Sequence, residues 1–192
     1  MLRRVTYLVA LCLIVAAAGS ITEKTRAQSS DRAAGLAAYA RIASVLMSPR
    51  CMNCHPRGER PRQGDDRHVH LQNVQRGPDD RGMAVMRCTQ CHQEHNNDMA
   101  GVPGAPNWHV APRSMAWEGL TAGEICRRVL DKQRNGGRSI ADLVEHFKTD
   151  ELVLWGFSPG VGRARPPLTR DEFEKAVEIW AKAGAPCPPD KS

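Results

Sequence analysis

Two five-residue stretches carry the chemistry of this chain: Cys51-Met52-Asn53-Cys54-His55 and Cys88-Thr89-Gln90-Cys91-His92. Both read C-x-x-C-H, the spacing of c-type haem attachment. Two thiols one helical turn apart can add to the two vinyl groups on one porphyrin edge. The adjacent imidazole then falls under the ring as the proximal iron ligand. The expectation is that Cys51, Cys54, Cys88 and Cys91 hold two covalently bound haem c groups, with His55 and His92 on the irons. Three other readings compete. A four-cysteine zinc site leaves the histidine after each pair without a task. Two disulfides would suit an oxidising compartment. A redox-active dithiol needs a βαβ context that the sequence lacks.

Each iron has a sixth position, and five histidines remain for the two of them: His68, His70, His95, His109 and His146. His109 lies in Pro106-Asn107-Trp108-His109, a loop stiffened by proline and tryptophan, and is one distal candidate. His146, beside Phe147 on an expected helix, is another, with packing inside the fold as its alternative. His95 sits in a polar stretch and reads as exposed. Among the sulfurs Met83, Met86, Met99 and Met115, the leading candidate is Met115, just before Trp117 and a helix start, although methionine commonly fills cores. A His/Met pair raises the reduction potential relative to two imidazoles; bis-histidine ligation is expected for at least one haem. Arg57, Arg60, Arg62 and Arg67 follow the first motif and are candidates to pair with haem propionates, a solvated loop being the alternative. Cys126 and Cys187 are left over. An even remainder in an oxidising compartment favours a disulfide that pins the C-terminal tail and stabilises by roughly 2–4 kcal/mol, against two separate thiols.

The elements that must position these groups are sparse. Arg3 and Arg4 precede an apolar run from Val5 to Ala18 and a small-residue exit near Ala27, the pattern of a secretory signal over residues 1–27. Retention as a membrane anchor is the alternative, but the run is shorter than the roughly 20 residues a span needs. A single domain is expected over residues 28–192, with no stable membrane span after signal removal. Signal loss removes four of 27 basic and one of 21 acidic side chains, so the net charge falls from +6 to about +3. No basic run with interleaved aromatics is present, so nucleic-acid binding has little support. Periodicity predicts helices over Asp31 to Met47, stopped by Pro49, and over Ser139 to Lys148. Capping boxes at Thr121/Glu124 and Thr169/Glu172 open two more, running to about Arg134 and to Gly184. No hairpin is expected. The chain thus reads as mainly α, a few short helices with long loops wrapped around two haems. Aromatic residues are only 5% of the sequence, which porphyrin faces would compensate.

With these residues in view, the chain resembles small exported dihaem c-type cytochromes. The lead-in Met47-Ser48-Pro49-Arg50 and the last helix, with Trp180 and Gly184-Ala185-Pro186, resemble the two ends of class I cytochromes. His68-Val69-His70 ahead of the second motif resembles the multihaem arrangement in which an upstream histidine ligates another haem, making His70 the first choice for one iron. Residues 51–187 are also similar to a bacterial family labelled isoquinoline 1-oxidoreductase subunit, through Cys51 to Asp66, Arg76-Gly77, Pro103 to Trp117 and Trp155 to Gly160. The resemblance implies a periplasmic electron carrier between a dehydrogenase and a downstream acceptor, with redox proteins as partners and no catalytic residue of its own. The alternatives are a dihaem peroxidase-like oxidoreductase or a haem-based redox or gas sensor, each with one open iron site.

Overall fold

The computed structural model describes residues 26–190. The expected export signal therefore lies outside the described residues except for its last two. Helix is the main regular structure. The first helix, α1 (26–46), begins earlier than periodicity predicts. Its alanine-rich sequence favours helix, and its inward stripe Tyr39, Ile42, Val45 and Leu46 is buried.

Pro49 does not merely stop α1. It stands in the first turn of a one-turn helix, α2 (Pro49–Met52), with Ser48 at the N-cap position but without a side-chain cap bond. Proline suits that position because its missing N–H has no intrahelical partner there. The remaining helices are α3 (Ala122–Leu130), α4 (Ile140–Thr149), α5 (Glu151–Trp155) and α6 (Arg170–Lys182). Both expected capping boxes are formed, and Ser139 with Asp142 makes a third at α4. α3 ends at Leu130, short of Arg134. Buried Asn135 stops it there by donating its side-chain amide to the Val129 and Arg138 carbonyls, at 2.7 and 3.1 Å.

Two antiparallel hairpins correct the expectation of none. Strand β1 (Arg62–Gln63) pairs with β2 (His68–Val69), and β3 (Gly82–Met83) with β4 (Met86–Arg87). Two-residue strands are too short to leave an alternating pattern.

The core joins α1, α3, α4 and α6. Tyr39 meets Trp180 at 5.5 Å, Phe147 meets Phe173 at 5.4 Å, and Ile125, Val129 and Leu143 close the interior. At Gly35, a Cβ would stand 2.6 Å from that of Ala183, so α1 passes the end of α6 at a distance only glycine permits. The Tyr39 hydroxyl donates to the Ala122 carbonyl at 3.0 Å, and its burial pushes the phenol upward.

Between α2 and α3 the chain is mostly loop. Arg76, only 2% exposed, holds it together. Its guanidinium bonds Asp80 at 2.6 Å, the Ala111 carbonyl, and the Pro56 carbonyl at 3.4 Å, tying three separate stretches. Among the described residues no helix is long and apolar enough to cross a membrane.

Candidate functional site

The first motif sits where α2 unwinds. Cys54 N–H bonds the Cys51 carbonyl at 3.1 Å and His55 N–H bonds the Met52 carbonyl at 3.2 Å, so the turn continues through the imidazole. The His55 Nδ1 lies 2.6 Å from the Met115 carbonyl. A carbonyl can only accept, so the proton is on Nδ1 and the neutral ring carries its lone pair on Nε2. Trp117 stacks flat on the ring, centroids 3.4 Å apart and planes 9° from parallel. Burial pulls the imidazole down to about 4. It also pushes the thiols of Cys51 and Cys54 up to about 12 and 11.

A cavity of about 450 Å³ opens beside this turn, and Cys51, Cys54 and His55 all lie in its wall. Leu46, Leu143, Phe147 and Phe157 make much of it apolar, and His109, His146 and Met115 share it. His146 projects from α4 with Nδ1 3.4 Å from Asp150 Oδ2, and this neighbour holds the Asp150 carboxyl down at about 2. The His109 Nδ1 bonds the Asn107 carbonyl two residues back, a tight turn made with Asn107 at φ +58°. Two residues of the lining each carry a buried, unpartnered polar atom, Arg50 Nε and Trp117 Nε1. The Arg50 guanidinium is otherwise bonded to Asp65 and, at 3.3 Å, to the Gly64 carbonyl.

The second motif repeats the arrangement nearer the surface. The hairpin β3–β4 leads into a 3-10 turn over Cys88–Gln90, and His92 N–H bonds the Cys88 carbonyl at 2.9 Å. The His92 Nδ1 lies 2.7 Å from the Pro103 carbonyl, and Trp108 stacks on the ring at 4.4 Å and 7°. Burial again lowers this imidazole and raises the Cys88 thiol. His70 approaches from the β1–β2 side, its ring 6.2 Å from that of His92 and at 78° to it. Its own Nδ1 is bonded to the Leu71 carbonyl at 2.9 Å. Leu71, next to His70, and Met83, Val85 and Met86 of the hairpin that leads into the motif are exposed.

The sequence-named residues thus fall into two groups: Cys51, Cys54, His55, His109, His146 and Met115 on one cavity, and Cys88, Cys91, His92 and His70 together. Met115 backs His55 with its carbonyl, a role no side-chain reading foresees. His68 pairs instead with Asp66, Nδ1 to Oδ1 2.6 Å, and His95 lies on a separate open groove of about 690 Å³. Arg62 pairs with Glu118 at 2.6 Å and Arg60 bonds the His70 carbonyl. Sequence reasoning missed Arg50, whose signal was its place next to Cys51. Cys126 and Cys187 lie at disulfide distance, with Cα atoms 5.6 Å apart. Among the described residues, no three His, Cys, Asp or Glu side chains converge as metal ligands by themselves. In comparisons with known proteins, no protein-family model, no curated protein and no solved structure matches the chain.

Proposed function

We propose that the chain is an exported, periplasmic dihaem electron carrier that passes single electrons between an oxidoreductase partner and a downstream acceptor. Cys51 and Cys54 hold one haem c with His55 as proximal ligand. Cys88 and Cys91 would hold the other with His92, and His70 would supply it a second imidazole. When bound, each haem supplies a one-electron couple, so the chain needs no acid or base of its own. Its residues orient the ligands, exclude water and set the charge around them.

The observation that carries this reading is the shared handling of His55 and His92. Each is neutral, has Nδ1 occupied by a carbonyl and a face covered by tryptophan, and keeps its Nε2 lone pair for a metal. Metal-bound histidines are held in this way.

The surroundings fit the group as well. The first cavity is lined by both thiols' residues and by the imidazole, together with Leu46, Leu143, Phe147 and Phe157, and Arg50 supplies a positive charge beside it. At the second site, two imidazoles bound to opposite sides of one metal at the roughly 2 Å metal–nitrogen distance usual for imidazole have centroids roughly 6 Å apart. His70 and His92 have that spacing. At the first site His146, supported by Asp150, is the proposed sixth ligand; His109 is its competitor.

The test is to produce the full chain in a host that attaches haem c and measure mass, pyridine haemochrome and EPR. Two haems per chain, both low-spin and inert to CO, are expected. A chain without covalent haem sinks the reading. A five-coordinate, CO-binding iron replaces the carrier with a peroxidase-like or sensor function.

A further inference from the structure

Asn96 stands four residues beyond His92 and joins the two arms that hold its ring, the Pro103 carbonyl and Trp108. Its Oδ1 accepts from Gly104 N–H at 3.0 Å and from Trp155 Nε1–H at 2.9 Å. Its Nδ2 donates to the Ser158 carbonyl at 3.3 Å. Gly104 directly follows Pro103, whose carbonyl takes the His92 Nδ1 proton. Trp155 packs edge-on against Trp108 at 4.8 Å and 79°, and Trp108 is the ring stacked on His92. One amide therefore fixes both the hydrogen-bonding arm and the stacking arm of the same imidazole.

The surrounding backbone is built for this contact. Gly104 comes so close to the chain after the motif that a Cβ would stand 2.2 Å from the His95 carbonyl oxygen. Gly160, at φ +83°, leaves room where a Cβ would stand 2.9 Å from Asn96 Nδ2. Asn is suited to the task because it presents an acceptor with two lone pairs and a donor on one short side chain. The first motif is backed without such a relay, by Met115 and Trp117 directly.

We propose that Asn96 is the positioning residue of the second centre, setting the Pro103 hydrogen bond to His92 and thereby that centre's reduction potential. This inference rests on the haem reading above. A hydrogen bond from Nδ1 raises the basicity of a ligating imidazole, and a more basic ligand favours the oxidised, more positive iron. Loosening the Pro103 arm should thus move the second potential upward.

The experiment is a redox titration with EPR of the dihaem protein as Asn96→Ala, Asn96→Asp and Trp155→Phe. The first haem serves as internal reference. Asn96→Ala should raise the second potential and change only the low-spin signal lost on His70 replacement. Asn96→Asp keeps both acceptor contacts and should restore most of the wild-type value. Trp155→Phe, which loses only the indole donor and keeps a ring, should shift it in the same direction by less, and it carries the test if Asn96→Ala does not fold. Two haems with an unmoved second potential overturn the inference alone, as does an equal shift of both potentials. Wild type without covalent haem overturns the haem reading and the inference with it.

Discussion

His55 and His92 are each held by a carbonyl on Nδ1 and a tryptophan on one face, and three of the four tryptophans serve these rings directly or through Trp108. The motifs themselves were legible because their chemistry is written in adjacent residues. The carbonyls of Met115 and Pro103 were not, since every residue has a carbonyl and nothing local says which one will be used. His70 was legible only as a candidate. Its pairing with His92 spans the loop between two hairpins and is decided by the fold. Replacing it tests that pairing. His70→Ala should convert the second haem to high-spin and remove about half of the low-spin signal, since a haem iron that loses an axial imidazole is five-coordinate. His146→Ala should do the same to the other half. If His109→Ala does so instead, the first ligand assignment is reversed; unchanged low-spin signals in His70→Ala remove that residue from the iron.

The elements divide by whether their ends are marked locally. Thr121, Ser139 and Thr169 each cap a helix and receive an acid at the third position in return, Glu124, Asp142 and Glu172. These boxes are local in sequence, so the two with glutamate were found. The one-turn helices α2 and α5 carry too few residues to show a period. The stretch 103–117 has no regular structure beyond a 3-10 turn, but it serves both motif histidines. It supplies Pro103 and Trp108 to His92, Met115 and Trp117 to His55, and Ala111 N–H to the Cys54 carbonyl at 2.8 Å. The caps carry a pH prediction. Hydrogen bonds from the Thr121 and Thr169 backbone N–H groups, and from the Ser139 hydroxyl, hold the three carboxyls below their ordinary values. A carboxyl depressed in the folded state stabilises above its unfolded pKa, and that contribution is lost as pH falls through the folded value. Thermal stability should therefore fall as pH drops below the ordinary carboxylate range. The triple variant Glu124→Gln, Asp142→Asn, Glu172→Gln should show a shallower acid limb; an identical limb would remove the caps from the acid response.

At the scale of the molecule, α1 and α6 lie against each other and the chain between them carries both C-x-x-C-H motifs. The scarcity of aromatics was legible as a deficit but not as a distribution. Trp180, Tyr39, Phe147 and Phe173 build the helical core, while Trp108 and Trp117 stack on the motif histidines and Trp155 backs Trp108. What closes the helical part is the link between Cys126 in α3 and Cys187 beyond α6, separated by 61 residues. Parity of cysteines pointed to it, and the packing shows why it works: Cys126 is fully buried, and Trp180 Nε1 donates to the Pro186 carbonyl at 3.1 Å, seating the tail. The closed loop holds α4, α5 and α6, so reduction frees the tail and all three helices in the unfolded chain. Loop-closure entropy for that length gives about 4 kcal/mol, which at this size is a fall in Tm of about 10 °C. The centres should survive, because neither motif lies inside the loop and α1 and α6 still pack through Tyr39 and Trp180. A Cys126→Ala/Cys187→Ala double variant should thus keep two haems and both low-spin signals while unfolding about 10 °C lower in calorimetry. Loss of one haem with the disulfide would mean instead that the link helps to build a centre, through α4, which carries His146.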